Sequence, residues 1–317
     1  MRANKKVNKD TFVYLVRTFP NDEVCLRHLE SLYWKDGKPV SPFDPSSRVY
    51  RCKDGRYKCR NTGKYFKVTT GTMFQDSKVA LHLWFWAIWL EASSKAGISS
   101  CHLSGLLGVS QKTAWFMLHK IREQMKFAND GRLTGEVEID EALIGGLNKY
   151  RHWDKKVKHS QGRSHKDKIP VVGMIQRGGA LVARVTRDAT AETLSSLIRR
   201  FVDPAATIYT DDNAAYEQIG RTYRRLYVDH GRHQYADGDV TTNRIEASWT
   251  HLKRGLTGTY RNPFRRTDWK YLQRYVDEFV FRYNFRDLGN YDRFNSLLCH
   301  ADTRITYKQI RQTRCAA

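Results

Sequence analysis

No uninterrupted apolar run in this chain approaches the length of a membrane span. The longest, Leu81 to Leu90, is broken by His82 and is far short of the ~20 residues a spanning helix needs. The basic N-terminus, Met1-Arg2-Ala3-Asn4-Lys5-Lys6, is followed by no apolar stretch, so a secretory signal is not expected. Cysteine is scarce, six in 317 residues. That excludes a disulfide framework and points to a reducing, intracellular compartment. There is no internal repeat and no low-complexity stretch. Acidic residues are also short: 33 Asp and Glu face 55 Lys and Arg, a net charge of +22. Such an excess calls for a polyanion, nucleic acid before an anionic membrane.

What remains is a globular composition, 40% hydrophobic and 28% charged, long enough for about two domains. The charge is not a tail. Up to Arg132 there are 23 basic and 11 acidic residues, and beyond it 32 and 22. Both halves are therefore expected to face the polyanion. Two basic segments stand out. Lys149 to Lys168 holds eight Lys or Arg, including Lys155, Lys156 and Lys158, against two Asp. It reads as an exposed loop. Lys253 to Arg274 holds seven, including Arg254, interleaved with Tyr260, Phe264, Trp269 and Tyr271. A solvated face accounts for one such run, but two in a chain this basic favour phosphate contacts.

Residues 1–74 read as a small mixed module: a helix over Cys25 to Tyr33, a proline-bearing loop (Pro39, Pro42, Pro45) and short strands near Val49-Tyr50 and Lys64 to Val68. Residues 75–132 read as helical. Ser77 is expected to cap the tryptophan-rich helix. Ser99 or Ser100, Gly108, Val109 and Ser110 punctuate two further helices, the pattern of a helix-turn-helix with Gln111, Lys112 and Thr113 near base edges. An ordinary helical hairpin is the plainer reading.

From Gly135 the period changes to two. Strands are expected at Glu136 to Asp140, Ile169 to Gln176, Leu181 to Val185, Thr207 to Thr210 and Arg225 to Val228. Helices are expected at Ala191 to Phe201, Asn213 to Ile219, Asn243 to Lys253 and Trp269 to Tyr283. Three strands, then helix, strand, helix, strand, helix fits an α/β, ribonuclease-H-like mixed five-stranded sheet with flanking helices over 133–300, with a tail at 301–317.

Such a fold brings three acids together: Asp140 at the end of the first strand, Asp211 at the end of the fourth, and, with 34 residues between, Glu246 in the first turn of a helix that opens at Asn243. Carboxylates are the ligands Mg²⁺ prefers, and two ions ~3.5–4 Å apart can clamp an in-line phosphoryl displacement. Without metal, three such carboxylates repel one another. Glu141 and Asp212 are adjacent alternatives that strand alternation turns away, and Glu138 shares the face of Asp140. Lys253, two helical turns after Glu246, either holds a phosphate or is a surface lysine.

These residues resemble the DDE transposases of bacterial insertion sequences with an ISXO-type transposase domain, relatives of the eukaryotic Merlin transposases. The matching stretches are Gly135 to Gly146, Pro170 to Gly179, Tyr209-Thr-Asp-Asp212, Thr242 to Tyr260 and Leu272 to Asn284, together with Val68 to Phe74 and Lys112-Thr-Ala-Trp115. The resemblance implies a metal-dependent transposase (Mg²⁺ or Mn²⁺, two ions). Such an enzyme binds terminal inverted repeats in double-stranded DNA, nicks them and joins the 3′-hydroxyl ends to target DNA. It would act as a homo-oligomer on the DNA, in the bacterial cytoplasm. Asp140, Asp211 and Glu246 fall on the family's metal-binding triad, and Asn243 and Lys253 on its accompanying Asn and Lys.

The family's N-terminal zinc ribbon is degenerate here. Its two knuckles fall on Ser41-Pro-Phe-Asp44 and Cys59-Arg-Asn-Thr62, which supply one thiolate where tetrahedral zinc wants four N or S ligands. Zinc is not expected, although Cys25, His28, Cys52 and Cys59 could regroup around one. The rival functions are a catalytically silent, transposase-derived DNA-binding regulator and a ribonuclease-H-like nuclease acting on RNA hybrids.

Overall fold

The computed structural model describes residues 8–145, 152–156, 158, 168–228, 241–261 and 269–312. The chain forms two compact units, 8–124 together with 287–311, and 125–286.

The first unit opens with α1 (Phe12–Thr18), which the sequence reading missed, and α2 (Asp22–Tyr33). Thr11 and Asn21 accept the N-cap hydrogen bonds of these helices, the role hydroxyl and amide side chains serve at an orphaned first turn. A three-stranded antiparallel sheet follows: β1 (Val49–Arg51), β2 (Tyr57–Cys59) and β3 (Tyr65–Phe66). Segments 41–44 and 59–62 meet beside it. Ser41 is buried, and its Oγ accepts from the N–H groups of Phe43 and Asp44. Asn61 donates to Asp44 at 2.8 Å. Burial raises the Cys59 thiol, but hydrogen bonds from Ser41, Ser47 and Thr62 bring it down to about 6. Cys25 is buried in α2, and His28 hydrogen-bonds Asn295 at 2.9 Å.

Helix α3 (Leu81–Ser93) is buried on most sides. Ser77 does not cap it. Its Oγ accepts instead from Trp84 Nε1 at 2.8 Å and from the Val79 N–H. The helix begins after Ala80 with no side-chain cap of its own. Asp22, from α2, takes the His82 N–H at 3.0 Å and the His82 ring at 2.6 Å. Helix α4 (Ser100–Leu107) is capped by Ser99 and ends at Gly108 in the left-handed region, φ +66°, a conformation glycine adopts without steric cost. Helix α5 (Gln111–Gln124) follows, with Ser110 accepting the Thr113 N–H at 3.2 Å. Its inner face is Ala114, Met117, Leu118 and Ile121. Beneath it Arg122 pairs with Glu91 of α3 at 3.2 Å, both fully buried.

The second unit is built on a five-stranded sheet of β4 (Glu136–Ile144), β5 (Ile169–Gln176), β6 (Leu181–Val185), β7 (Thr207–Asp211) and β8 (Arg224–Val228). The spatial order is β6-β5-β4-β7-β8. Strand β5 is antiparallel to β4 and β6, while β4, β7 and β8 run parallel. This mixed sheet with helices on both faces is the ribonuclease-H-like arrangement. Strand β5 is buried along nearly its whole length, as a central strand covered on both faces must be. One face carries α6 (Ala191–Phe201) over Val137, Ile139, Met174 and Ile208. The other carries α7 (Asn243–Gly258) and α8 (Leu272–Asn284) over Ala142, Ile144, Val171 and Ile175. The segment expected as one helix over Asn213 to Ile219 is instead two short 3-10 turns, Ala214–Tyr216 and Ile219–Arg221. Tyr216 and Ile219 both enter the core.

After α8 the chain returns to the first unit. Helices α9 (Asn290–Cys299) and α10 (Tyr307–Gln312) fold with it, and 287–300 is not part of the sheet unit. Phe294 of α9 packs 5.5 Å from Phe85 and 5.8 Å from both Phe19 and Trp89. That aromatic cluster anchors the C-terminal segment. No described helix is long and apolar enough to cross a membrane.

Candidate active site

Alternation on β4 decides which side chains share a face. Val137 and Ile139 enter the core under α6, and Ala142 and Ile144 enter the core under α7 and α8. Glu138 and Asp140 therefore face α7, and Glu141 faces away. The Tyr216 hydroxyl donates to Glu141 Oε1 at 2.7 Å on that other side, and burial pushes the Glu141 carboxyl up to about 7.

Asp140 is not at the end of its strand. Strand β4 stays paired with β5 as far as Ile144, because Ala142 and Ile144 still have apolar cover. What ends near Asp140 is the pairing with β7, whose last pair is Glu138 with Tyr209. Extending that register by two residues sets Asp140 opposite Asp211, on the same face. The position lies beyond the carboxyl end of the paired segment, where open α/β sheets form their crevices.

Three contacts fix the walls of this crevice. Trp249 Nε1 donates to Asp140 Oδ2 at 3.0 Å. The indole fits because the residue of β5 opposite Asp140 is Gly173, where a Cβ would overlap the Trp249 ring and lie 2.9 Å from Ile245 Cδ1. Arg225, from β8, donates to Thr210 Oγ1 at 2.9 Å and to the Asp211 carbonyl at 2.8 Å, pinning the end of β7.

Glu246 sits in the first turn of α7, exposed, and its Oε1 accepts from Thr242 Oγ1 at 3.1 Å. The inner stripe of the helix is Ile245, Trp249, Leu252 and Leu256, at helical spacing. Burial pushes the Asp140 carboxyl up to about 6, and the charges of Asp211 and Glu246 add to the rise. The charges of Asp211 and Glu246 thus both reach Asp140.

Chemically, this donor set fits a hard divalent cation: oxygen ligands only, with no cation paired to Asp140 among the described residues. As they stand, the carboxylates are not gathered around one point. Among the described residues no group of three or more His, Cys, Asp or Glu is placed to hold a metal ion.

Glu138 has a role that the sequence only hinted at. It is fully buried, and its Oε2 accepts the N–H groups of Arg244 and Ile245 at 3.0 and 3.2 Å. Helix α7 has no side-chain cap of its own, so a strand carboxylate caps it from across the fold. Arg177, just after β5, donates to Glu138 Oε1 at 3.0 Å and to the Thr241 carbonyl at 3.1 Å, and lies 3.9 Å over the Tyr209 ring. Neither Arg177, Trp249 nor Arg225 carries a local sequence signal, since each acts through a partner far along the chain.

Asn243, Lys253 and Arg254 are exposed on α7. In the first unit Gln111 and Lys112 are exposed at the start of α5, but the Gln111 amide donates to Ser100 Oγ at 2.8 Å. The Thr113 hydroxyl is engaged with Ser110 at 2.9 Å. Of the basic loop, Lys156 and Lys158 are exposed. The Lys155 side chain and most of 146–167 lie outside the described residues, as do 262–268 of the second basic segment.

Residues 132–284 match the family model of the ISXO2-like transposase domain. This stretch is similar to an ISXO2-like transposase domain. It spans the whole five-stranded sheet and helices α6 to α8. A curated relative is an uncharacterized protein in transposable element ISH50 of Halobacterium salinarum. It is 27% identical over 274 residues, covering 79% of this chain and 90% of that protein. Among solved structures, the Mos1 strand transfer complex is similar at 10% identity and TM-score 0.27, covering 66% of this chain and 74% of that one. The Mos1 mariner paired end complex with Mn is similar at 12% identity and TM-score 0.27, covering 64% and 73%.

Proposed function

We propose that this chain is a DDE transposase that binds the terminal inverted repeats of an insertion sequence, nicks the DNA there and transfers the 3′-hydroxyl ends to target DNA. What supports the reading is the β4–β7 pairing, whose extension by two residues sets Asp140 beside Asp211, together with the charges of Asp211 and Glu246 that raise the Asp140 carboxyl. Asp140, Asp211 and Glu246 would hold Mg²⁺ or Mn²⁺. A bound divalent ion supplies activation of the attacking water or hydroxyl and offsets charge on the leaving oxygen.

The chain's own groups do the rest. Trp249 would orient the Asp140 carboxylate through its indole N–H. Glu138 and Arg177 set the start of α7, and with it the reach of Glu246. Asn243 and Lys253, exposed on α7, are proposed to meet the DNA strand. Helices α4 and α5 are proposed to read the repeat through Gln111, Lys112 and Thr113, with Gln111 exchanging Ser100 for a base edge. Lys155, Lys156, Lys158 and Arg254 are proposed to meet phosphates. Two copies on paired element ends would complete the reaction, in the bacterial cytoplasm.

The test is cleavage of a duplex carrying the element end, with Mg²⁺, by the wild type and by Asp140→Asn, Asp211→Asn and Glu246→Gln. Each substitution should abolish nicking and leave duplex binding intact. A wild type that binds the end specifically but never nicks it, under any divalent metal, would favour the catalytically silent regulator instead.

A further inference from the structure

The exposed face of the sheet β1–β3 is strongly basic, and no activity has yet been attached to it. Between positions 48 and 67 there are eight Lys or Arg and one acid, Asp54. The pairing sorts them by face. Tyr50 pairs with Lys58, and Lys58 with Tyr65, so these three form one row across the sheet. The ladder's flanks continue it: Arg60 N–H donates to the Arg48 carbonyl at 3.0 Å, and Cys52 N–H to the Arg56 carbonyl at 2.7 Å. Arg48, Arg56 and Arg60 therefore lie on the same face as Tyr50, Lys58 and Tyr65. The opposite face is the buried one, with Tyr57, Cys59 and Phe66. Tyr50 is 51% exposed and Tyr65 49%. Among the described residues only Arg56 of this basic set has an acidic partner, Asp54 at 2.6 Å.

We propose that this face docks on the phosphate backbone of duplex DNA, as a sequence-independent contact separate from helices α4 and α5. The occupant follows from charge: Arg48, Lys58 and Arg60 have no acidic partner among the described residues, and such a cluster of cations calls for a polyanion. Phosphates are favoured over stacked bases because Arg56 lies 4.8 Å from the Tyr65 ring centre and Lys58 Nζ 5.5 Å from it, so that ring is already occupied. The tyrosine hydroxyls and the cations then face the backbone together. The inference rests on the reading of this chain as acting on DNA.

The experiment is duplex binding by the full chain without divalent metal, titrated against salt, so that it does not depend on the acid triad. Arg48→Gln/Lys58→Gln/Arg60→Gln should lower the slope of log K against log salt by up to about 2.7, at ~0.9 per lost phosphate contact. It should weaken an element-end duplex and an unrelated duplex by the same factor. On the unmodified chain, duplex DNA should protect from amine acetylation both Lys58 and the exposed Lys67, two residues after Tyr65, which keeps the test valid if the triple variant folds poorly. A wild type that binds no duplex overturns both readings. A wild type that binds, with an unchanged slope in the triple variant or no protection of these lysines, overturns this one alone. A preference for single strands that Tyr50→Ala/Tyr65→Ala removes would also overturn it, by assigning the face to base stacking.

Discussion

Replacing Glu138 by Gln tests whether the start of α7 is held from the strand below it. The shape is kept and the charge is lost. Glu138 is 0% exposed and takes three hydrogen bonds, two from backbone N–H groups of α7 and one from Arg177. A glutamine has one acceptor oxygen, so it either keeps the helix N–H groups and turns its amide NH₂ toward the Arg177 guanidinium, or does the reverse. In both cases a buried donor loses its acceptor. Hydrogen bonds to charged groups contribute about 1.5–3 kcal/mol each, so a loss of about 3 kcal/mol is expected. For a domain of 150–250 residues that is about 6–12 °C in Tm. Glu138→Ala should cost about 3–5 kcal/mol, the range for breaking a buried pair. The assay is thermal unfolding followed by circular dichroism, run beside end cleavage. Cleavage should fall further than DNA binding, because Glu246 rides on the turn that Glu138 caps. A Glu138→Gln protein that melts within 1 °C of wild type (order of magnitude ~0.3 kcal/mol) would refute the clamp.

Gly173→Ala should destabilise the sheet unit by about 1–3 kcal/mol through overpacking, because its Cβ would overlap Trp249. It should also change the near-ultraviolet tryptophan signal as the bond to Asp140 breaks. Unchanged denaturation would show that the indole can move aside freely. Burial lowers the Lys120 ammonium to about 8, although it donates to the Met73 carbonyl at 2.6 Å. The unfolded chain, with a lysine near its ordinary value of 10.5, then binds more protons than the folded one between pH 8 and 10.5, so this group's contribution makes stability rise with pH over that window. Comparing unfolding of wild type and Lys120→Met across it should show the extra rise in wild type alone, and parallel curves would contradict this.

The strands and helices of the sheet unit were legible because each depends on its own residues. Ile169 to Gln176 and Ala191 to Phe201 stand where periodicity and the Thr190 cap put them. The same holds for Ser99, Gly108 and Ser110 between α3 and α5. What could not be read was cross-chain. Helices α3 and α7 both lack a side-chain cap of their own and take Asp22 and Glu138 from other elements. Ser77 looked like a cap only because sequence shows a hydroxyl and not the Trp84 indole that uses it. The order of the acids was visible, but the register that sets Asp140 against Asp211 belongs to the β4–β7 pairing. The return of α9 to the first unit was hidden for the same reason: Phe294 carries no sign of Phe19 and Phe85.

The central claim is that Asp140, Asp211 and Glu246 form one divalent-metal site for phosphoryl transfer. Counting bound Mn²⁺ by electron paramagnetic resonance, with the full chain on its end duplex, tests it most directly. The wild type should hold about two ions per chain, as the two-ion mechanism requires, and Asp140→Asn and Glu246→Gln should each lose binding without losing the duplex. A wild type that binds its duplex and takes up no Mn²⁺, or variants that bind as many ions as wild type, would contradict it.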